Sequence, residues 1–130
     1  MSRNSAWLAY AVHPAKLAAL KWVDPTIGHR DLVNRSGHEL FIIARNIESC
    51  ARLCWEPYMH NPKLRRRLHR ITVSTLFVWG EFDGIVTPDY GRAFAEGIAG
   101  AQFALIPNAG HLPHVEKPQA FFEAVDPFLT

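Results

Sequence analysis

Asp83 and His111 are the two residues of this sequence whose types and positions favour acid–base chemistry. Asp83 lies just past an apolar run at 75–79, and His111 lies just past a second apolar run at 102–106. Such runs are typical of strands buried on both faces of a parallel sheet, and ligands bind at the carboxyl ends of such strands. A histidine there can accept a proton, while a carboxylate on its other ring nitrogen fixes the tautomer and stabilises the imidazolium.

The spacing of the two residues fits one crossover connection. Positions 83 and 111 are 28 residues apart, which leaves room for one helix and one strand between them. A right-handed crossover would then bring both residues to the same edge of the sheet. Two alternatives remain open at this point. Asp and His also serve as helix-capping and turn residues, and Glu81 is a second candidate for the acid.

The elements that would position the pair follow from the pattern after residue 70. It predicts, in chain order, a strand over about 75–79, a helix over 88–98 capped by Thr87, a short strand over about 102–106 and a last helix from about 117. Pro127 is expected to kink or end that last helix early.

The first 70 residues predict helices only. We expect a short helix before Pro14, a second from Pro14 to about Trp22, and a third that a capping box, Ser36 with Glu39, begins. The third carries apolar residues at helical spacing as far as 54. Asn-Pro at 61–62 opens a short fourth helix with Leu64 and Leu68 predicted inward, and its basic outer face is interpreted as solvated.

Composition excludes several classes of function. The 130 residues are 48% apolar and 20% charged, which is typical of a single globular domain. A net charge of +2 is too small to predict a nucleic-acid or acidic-membrane partner. The sequence has no apolar run of about 20 residues and no signal-peptide pattern near Met1, so the expected location is cytoplasmic. His111 and His114 lack a third ligand, so no metal and no cofactor is expected.

The segment 64–130 resembles the C-terminal part of the α/β-hydrolase family. Two motifs carry the resemblance: Trp-Gly-Glu-Phe-Asp at 79–83 followed by Thr-Pro at 87–88, and Asn-Ala-Gly-His at 108–111 followed by Glu-Lys-Pro at 116–118 and Phe-Phe at 121–122. The resemblance implies that Asp83 is the acid of a catalytic triad and that His111 is its general base. The helical first part lies where many members of the family insert a cap over the active site.

The sequence departs from that family at the nucleophile. Serines stand at positions 2, 5, 36, 49 and 74, and none has the G-x-S-x-G context of a nucleophile elbow. The nearest, Ser36, is better explained as a helix N-cap. The expected fold class is therefore α/β, as a partial α/β-hydrolase: a helical cap-like segment at 1–70, then the last two parallel strands of the core with their helices at 71–130.

The resemblance implies a hydrolase of esters or related activated carbonyl compounds, with a small-molecule substrate. Without a nucleophile and an oxyanion hole, the chain alone is expected to be inactive. Two alternatives are a binding module that self-associates through an exposed sheet edge, and a truncated reading frame with no role of its own. The sequence does not indicate the substrate, nor whether the missing nucleophile is serine or aspartate.

Overall fold

The computed structural model describes residues 14–27, 32–54, 61 and 63–130. The elements in chain order are α1 (Pro14–Lys21), α2 (Gly37–Cys54), a 3₁₀ helix (Arg65–Arg70), β1 (Leu76–Gly80), α3 (Pro88–Ala95), β2 (Gln102–Ile106), α4 (Pro113–Glu116) and α5 (Pro118–Leu129). The short helix predicted before Pro14 lies outside the described residues. No helix in the described ranges is both long and apolar enough to cross a membrane.

β1 and β2 form a two-stranded parallel sheet, in which Leu76 lies opposite Gln102 and Gly80 opposite Ile106. Both predicted strands and the helical crossover between them are confirmed. The expectation of strands buried on both faces is wrong for most of their residues, which are half-buried or exposed. The reason is that helices α3 and α5 pack against a sheet only two strands wide, so each described strand keeps one open edge.

The crossover helix α3 lies close on β1. Gly91 of α3 is buried, and a Cβ built there would come within 2.6 Å of the Trp79 ring, so the helix and strand approach through a position without a side chain. The Trp79 indole N–H donates to the Val86 carbonyl at 2.8 Å and fixes the ring beneath the helix. α3 begins after Thr87 as predicted, although the Thr87 side chain makes no capping hydrogen bond, and it ends at Ala95 rather than at residue 98.

The buried apolar residues cluster beside the sheet: Leu68, Ala95, Ile98, Ile106 and Ala109. Leu68 is 2% exposed, whereas Leu64 is 37% exposed. The prediction that both leucines point inward is therefore wrong for Leu64. The segment folds as a 3₁₀ helix from Arg65, and its repeat of three residues does not put positions 64 and 68 on one face.

The capping box at the start of α2 is confirmed. The Ser36 N–H donates to Glu39 Oε2 at 2.9 Å, and the Glu39 N–H donates to Ser36 Oγ at 3.3 Å. The Arg35 side chain also donates to Glu39 at 2.8 Å. The hydrogen bond from Arg35, followed by those from the Ser36 amide and hydroxyl, lowers the pKa of Glu39 to about 2.

Two helix ends differ from the sequence expectation. α5 continues through Pro127 to Leu129, so the expectation of an early end at the proline is wrong. Only the last turn lies beyond Pro127, and a proline there removes a single helical hydrogen bond. The short helix α4, directly after the His111 loop, was not predicted.

Candidate active site

Asp83 lies in the turn that follows β1 and is 6% exposed. Its Oδ1 atom accepts the backbone N–H groups of Ile85 and Val86, each at 2.9 Å. Two donors on one oxygen stabilise a buried carboxylate and fix its plane. They leave the second oxygen, Oδ2, to face the histidine.

His111 Nδ1 lies 2.9 Å from Asp83 Oδ2. A carboxylate can only accept, so Nδ1 carries the hydrogen, and in the neutral ring Nε2 then keeps its lone pair. The His111 side chain is 34% exposed and that of Asp83 only 4%. The pair therefore has a buried acid that orients a partly exposed imidazole ring.

The two loops that carry the pair are bonded to each other. Past the end of β1, the Glu81 N–H donates to the Ile106 carbonyl at 3.0 Å and the Phe82 N–H donates to the Ala109 carbonyl at 2.9 Å. The first bond goes to the last residue of β2, and the second goes to the loop that follows β2. The acid loop and the histidine loop are thus held together through their backbones.

Glycine is required where the loops touch. A Cβ built on Gly80 would lie 1.9 Å from the Gly110 carbonyl oxygen, and a Cβ on Gly110 would lie 2.4 Å from the Lys21 carbonyl oxygen. Both distances are far below any normal carbon–oxygen contact, and the atoms met are backbone atoms. The Gly-His dipeptide at 110–111 therefore reflects close packing of three segments as well as chemistry.

The third segment is the end of α1. Its Leu20 carbonyl accepts the Gly84 N–H at 3.0 Å, and its Lys21 carbonyl accepts the His111 N–H at 2.7 Å. The two loops thus satisfy carbonyl groups that the end of a helix leaves without helical partners. Sequence reasoning missed this contribution, because every residue has a carbonyl and no side-chain signal distinguishes these two.

Glu116, which ends α4, was also missed as a residue of the site. Its Oε2 atom accepts the Gly110 N–H at 2.5 Å, and its Oε1 atom accepts the Val23 N–H at 2.7 Å. Glu116 belongs to the Glu-Lys-Pro motif that supported the family resemblance, so a signal was present in the sequence. That signal did not indicate which atoms the carboxylate would bind.

The other candidate site residues make contacts that stabilise the fold. Glu81, the alternative acid, is exposed and accepts the Asn108 N–H at 3.0 Å through Oε2. The ring of His114 packs edge-on against Phe121, with the centroids 5.8 Å apart. Within the described ranges no group of three His, Cys, Asp or Glu side chains could hold a metal ion. The structure therefore brings together Asp83 and His111, whose catalytic roles stay a prediction.

Comparisons with known proteins identify relatives of this chain. The sequence is 29% identical over 109 residues to the sn-1-specific diacylglycerol lipase ABHD11 of Mus musculus, covering 76% of this chain and 35% of that protein. It is 37% identical over 69 residues to a 2-hydroxy-6-oxononadienedioate/2-hydroxy-6-oxononatrienedioate hydrolase of Escherichia coli, covering 53% of this chain and 24% of that protein. The chain thus spans about a third or less of the length of these two relatives.

A solved structure of an N-acyl homoserine lactone degrading enzyme shares the fold. It superposes with a TM-score of 0.57 at 20% identity, covering 98% of this chain and 52% of that one. The family model described as the alpha/beta hydrolase family matches residues 2–124, so the resemblance carried by the motifs after residue 64 extends over nearly the whole chain. By that match, this chain belongs to the alpha/beta hydrolase family.

Proposed function

We propose that this chain carries the acid and the base of a hydrolase that acts on an ester or a related activated carbonyl compound. Family membership and the hydrolases among its relatives support a hydrolase-type function. The observation that carries the finer proposal is the 2.9 Å contact between His111 Nδ1 and Asp83 Oδ2, with Asp83 Oδ1 held by two amides. This arrangement leaves Nε2 as the proton acceptor.

The proposed chemistry needs a nucleophile that these 130 residues do not present in an elbow context. We place a hydroxyl nucleophile on a segment outside them. Nε2 of His111 takes the hydroxyl proton as the oxygen attacks the carbonyl carbon, and Asp83 stabilises the imidazolium that forms. The imidazolium then protonates the departing alkoxide. The acyl group is then bound to the nucleophile oxygen. The same nitrogen deprotonates a water molecule that attacks the acyl carbon, which releases the carboxylic acid and regenerates the hydroxyl.

The test is hydrolysis of a p-nitrophenyl ester by two proteins. The 130-residue chain alone should show no turnover that depends on His111. A longer chain, translated from the DNA upstream of Met1 if that DNA encodes an in-frame G-x-S-x-G, should hydrolyse the ester. In the longer chain Asp83→Asn should reduce kcat on the order of 10⁴-fold, because the wrong tautomer then faces the nucleophile.

A matched control lies three residues from the base. His114→Ala removes a histidine that packs on Phe121, and it should leave kcat of the longer chain nearly unchanged. Turnover by the 130-residue chain alone that His111→Ala abolishes would contradict the proposal, since the chain would then contain its own nucleophile. The division into a cap-like part at 1–70 and a core part at 71–130 belongs to the same proposal.

A non-catalytic interaction module is a second candidate. Several large apolar side chains of α2 are exposed, including Phe41 at 57%, Ile47 at 56% and Leu53 at 86%, and the described sheet has open edges. Open strand edges pair with other chains. Size-exclusion chromatography separates the candidates: a concentration-independent monomer that binds no hydrophobic dye would exclude self-association. The cytoplasm remains the proposed location, to be checked by cell fractionation.

A further inference from the structure

The Glu116 side chain links the histidine loop to the segment that follows α1. Its carboxylate accepts the N–H of Gly110, the residue directly before His111, and the N–H of Val23, just past α1. The His111 N–H itself donates to Lys21, the last residue of α1, at 2.7 Å. Two consecutive backbone amides, those of residues 110 and 111, are therefore fixed to the same neighbouring segment, one directly and one through Glu116.

The contact is close and partly shielded from water. Gly110 is buried, and a Cβ built on it would lie 2.9 Å from Glu116 Oε2, so the carboxylate lies against the backbone itself. Hydrogen bonds from backbone amides to a carboxylate are stronger than those between neutral groups. Rotation about the backbone bonds of Gly110 would swing the imidazole away from Asp83. The Gly110 N–H bond to Glu116 holds the peptide unit before Gly110, and the His111 N–H bond to Lys21 holds the unit after it, so together they oppose that rotation.

We infer that Glu116 is a positioning residue for the general base: its carboxylate clamps the Gly110–His111 backbone onto the end of α1 so that Nδ1 stays on Asp83. The inference rests on the proposed role of His111. The hydrogen bonds to the Glu116 carboxylate come from the backbone amides of Val23 and Gly110, so its effect on the ring is transmitted through the Gly110 amide.

The test uses the 130-residue chain and Glu116→Gln, which keeps the shape but offers one acceptor oxygen in place of two. NMR reads two quantities at a pH where the ring is neutral: the ¹⁵N shifts of the His111 imidazole, which separate the two tautomers, and the hydrogen exchange of the Gly110 amide. We expect the wild type to hold the hydrogen on Nδ1. We expect the variant to show a mixture of tautomers and roughly tenfold faster Gly110 exchange.

Glu123→Gln is the matched control. Glu123 lies on α5 and accepts from the Gln119 side chain, so its loss should change neither quantity. Urea denaturation of each variant separates positioning from general destabilisation. If Glu116→Gln does not fold, the same two measurements are made on Glu116→Asp, which keeps the carboxylate one methylene farther back and should fall between wild type and the mixed state.

Two outcomes would overturn the inference. One is an unchanged His111 tautomer and unchanged Gly110 exchange in the folded variant. The other is an increase in exchange that is equal at all protected amides, because Glu116 would then stabilise the fold without positioning the ring. Neither depends on ester hydrolysis, so failure of this inference and failure of the proposed function are distinguishable.

Discussion

Replacing Gly80 by alanine should separate the acid from the base. The new Cβ would lie 1.9 Å from the Gly110 carbonyl oxygen and 2.6 Å from that of Ala109, where ordinary contact begins at 3.4 Å. The histidine loop must therefore withdraw from β1 by about 1.5 Å, the difference between 1.9 and 3.4 Å. A hydrogen bond of 2.9 Å between His111 and Asp83 does not survive a displacement of that size.

The free energy of unfolding should fall as well. Overpacking against side chains typically costs 1–3 kcal/mol, and here the obstructing atoms are backbone, so we expect a loss of about 3 kcal/mol. Urea denaturation followed by tryptophan fluorescence measures this, because Trp79 lies on β1. The tautomer of His111, read from its ring ¹⁵N shifts, measures the separation of the pair.

Gly37→Ala is the control for Gly80→Ala. It adds the same methyl group at a helix start where no atom lies within 4 Å of the new Cβ, so stability and tautomer should both be preserved. The reasoning would be refuted if Gly80→Ala unfolded at the same urea concentration as the wild type and kept the hydrogen of His111 on Nδ1.

Three further predictions concern the surrounding fold. Leu68→Ala should lower the free energy of unfolding by about 3 kcal/mol, because it empties a buried site, whereas Leu64→Ala should cost less than about 1 kcal/mol; urea denaturation compares them. The pKa of Glu39 is lowered from 4.5 to about 2, so its stabilisation of the start of α2 is fully present above about pH 4.5 and is lost as the pH falls toward 2. An NMR titration should show this, and Arg35→Ala should raise the pKa; a Glu39 titration unchanged by that variant would contradict the assignment. Trp79→Phe should cost about 1 kcal/mol through its lost hydrogen bond, as measured by circular dichroism, and no loss would show that the bond contributes nothing.

The strands and the pairing of Asp83 with His111 could be predicted because their signals are local. An apolar run fixes each strand, and the spacing between the runs fixes the crossover, so the acid and the histidine had to emerge at one edge of the sheet. The capping box of α2 was predictable for the same reason, since both partners lie within four residues.

Contacts that depend on distant segments could not be predicted. The contact of α1 with the histidine loop and the contact of Val23 with Glu116 both join residues about 90 apart, and the separation of Val23 and Glu116 is 93. The burial of the strands was overpredicted. An apolar run indicates that a strand is able to be buried, but it does not indicate which strands and helices will cover it. Leu64 was misplaced because the sequence does not separate a 3₁₀ turn from an α-helical one.

The attachment of α1 to the site has a consequence for how such chains diverge. The atoms that hold the acid loop and the histidine loop to this helix are the carbonyl oxygens of Leu20 and Lys21, and every amino acid carries that atom. Side chains at these two positions can therefore change over generations while both bonds persist. A change that moves the end of α1 relative to the two loops would instead break both bonds at once.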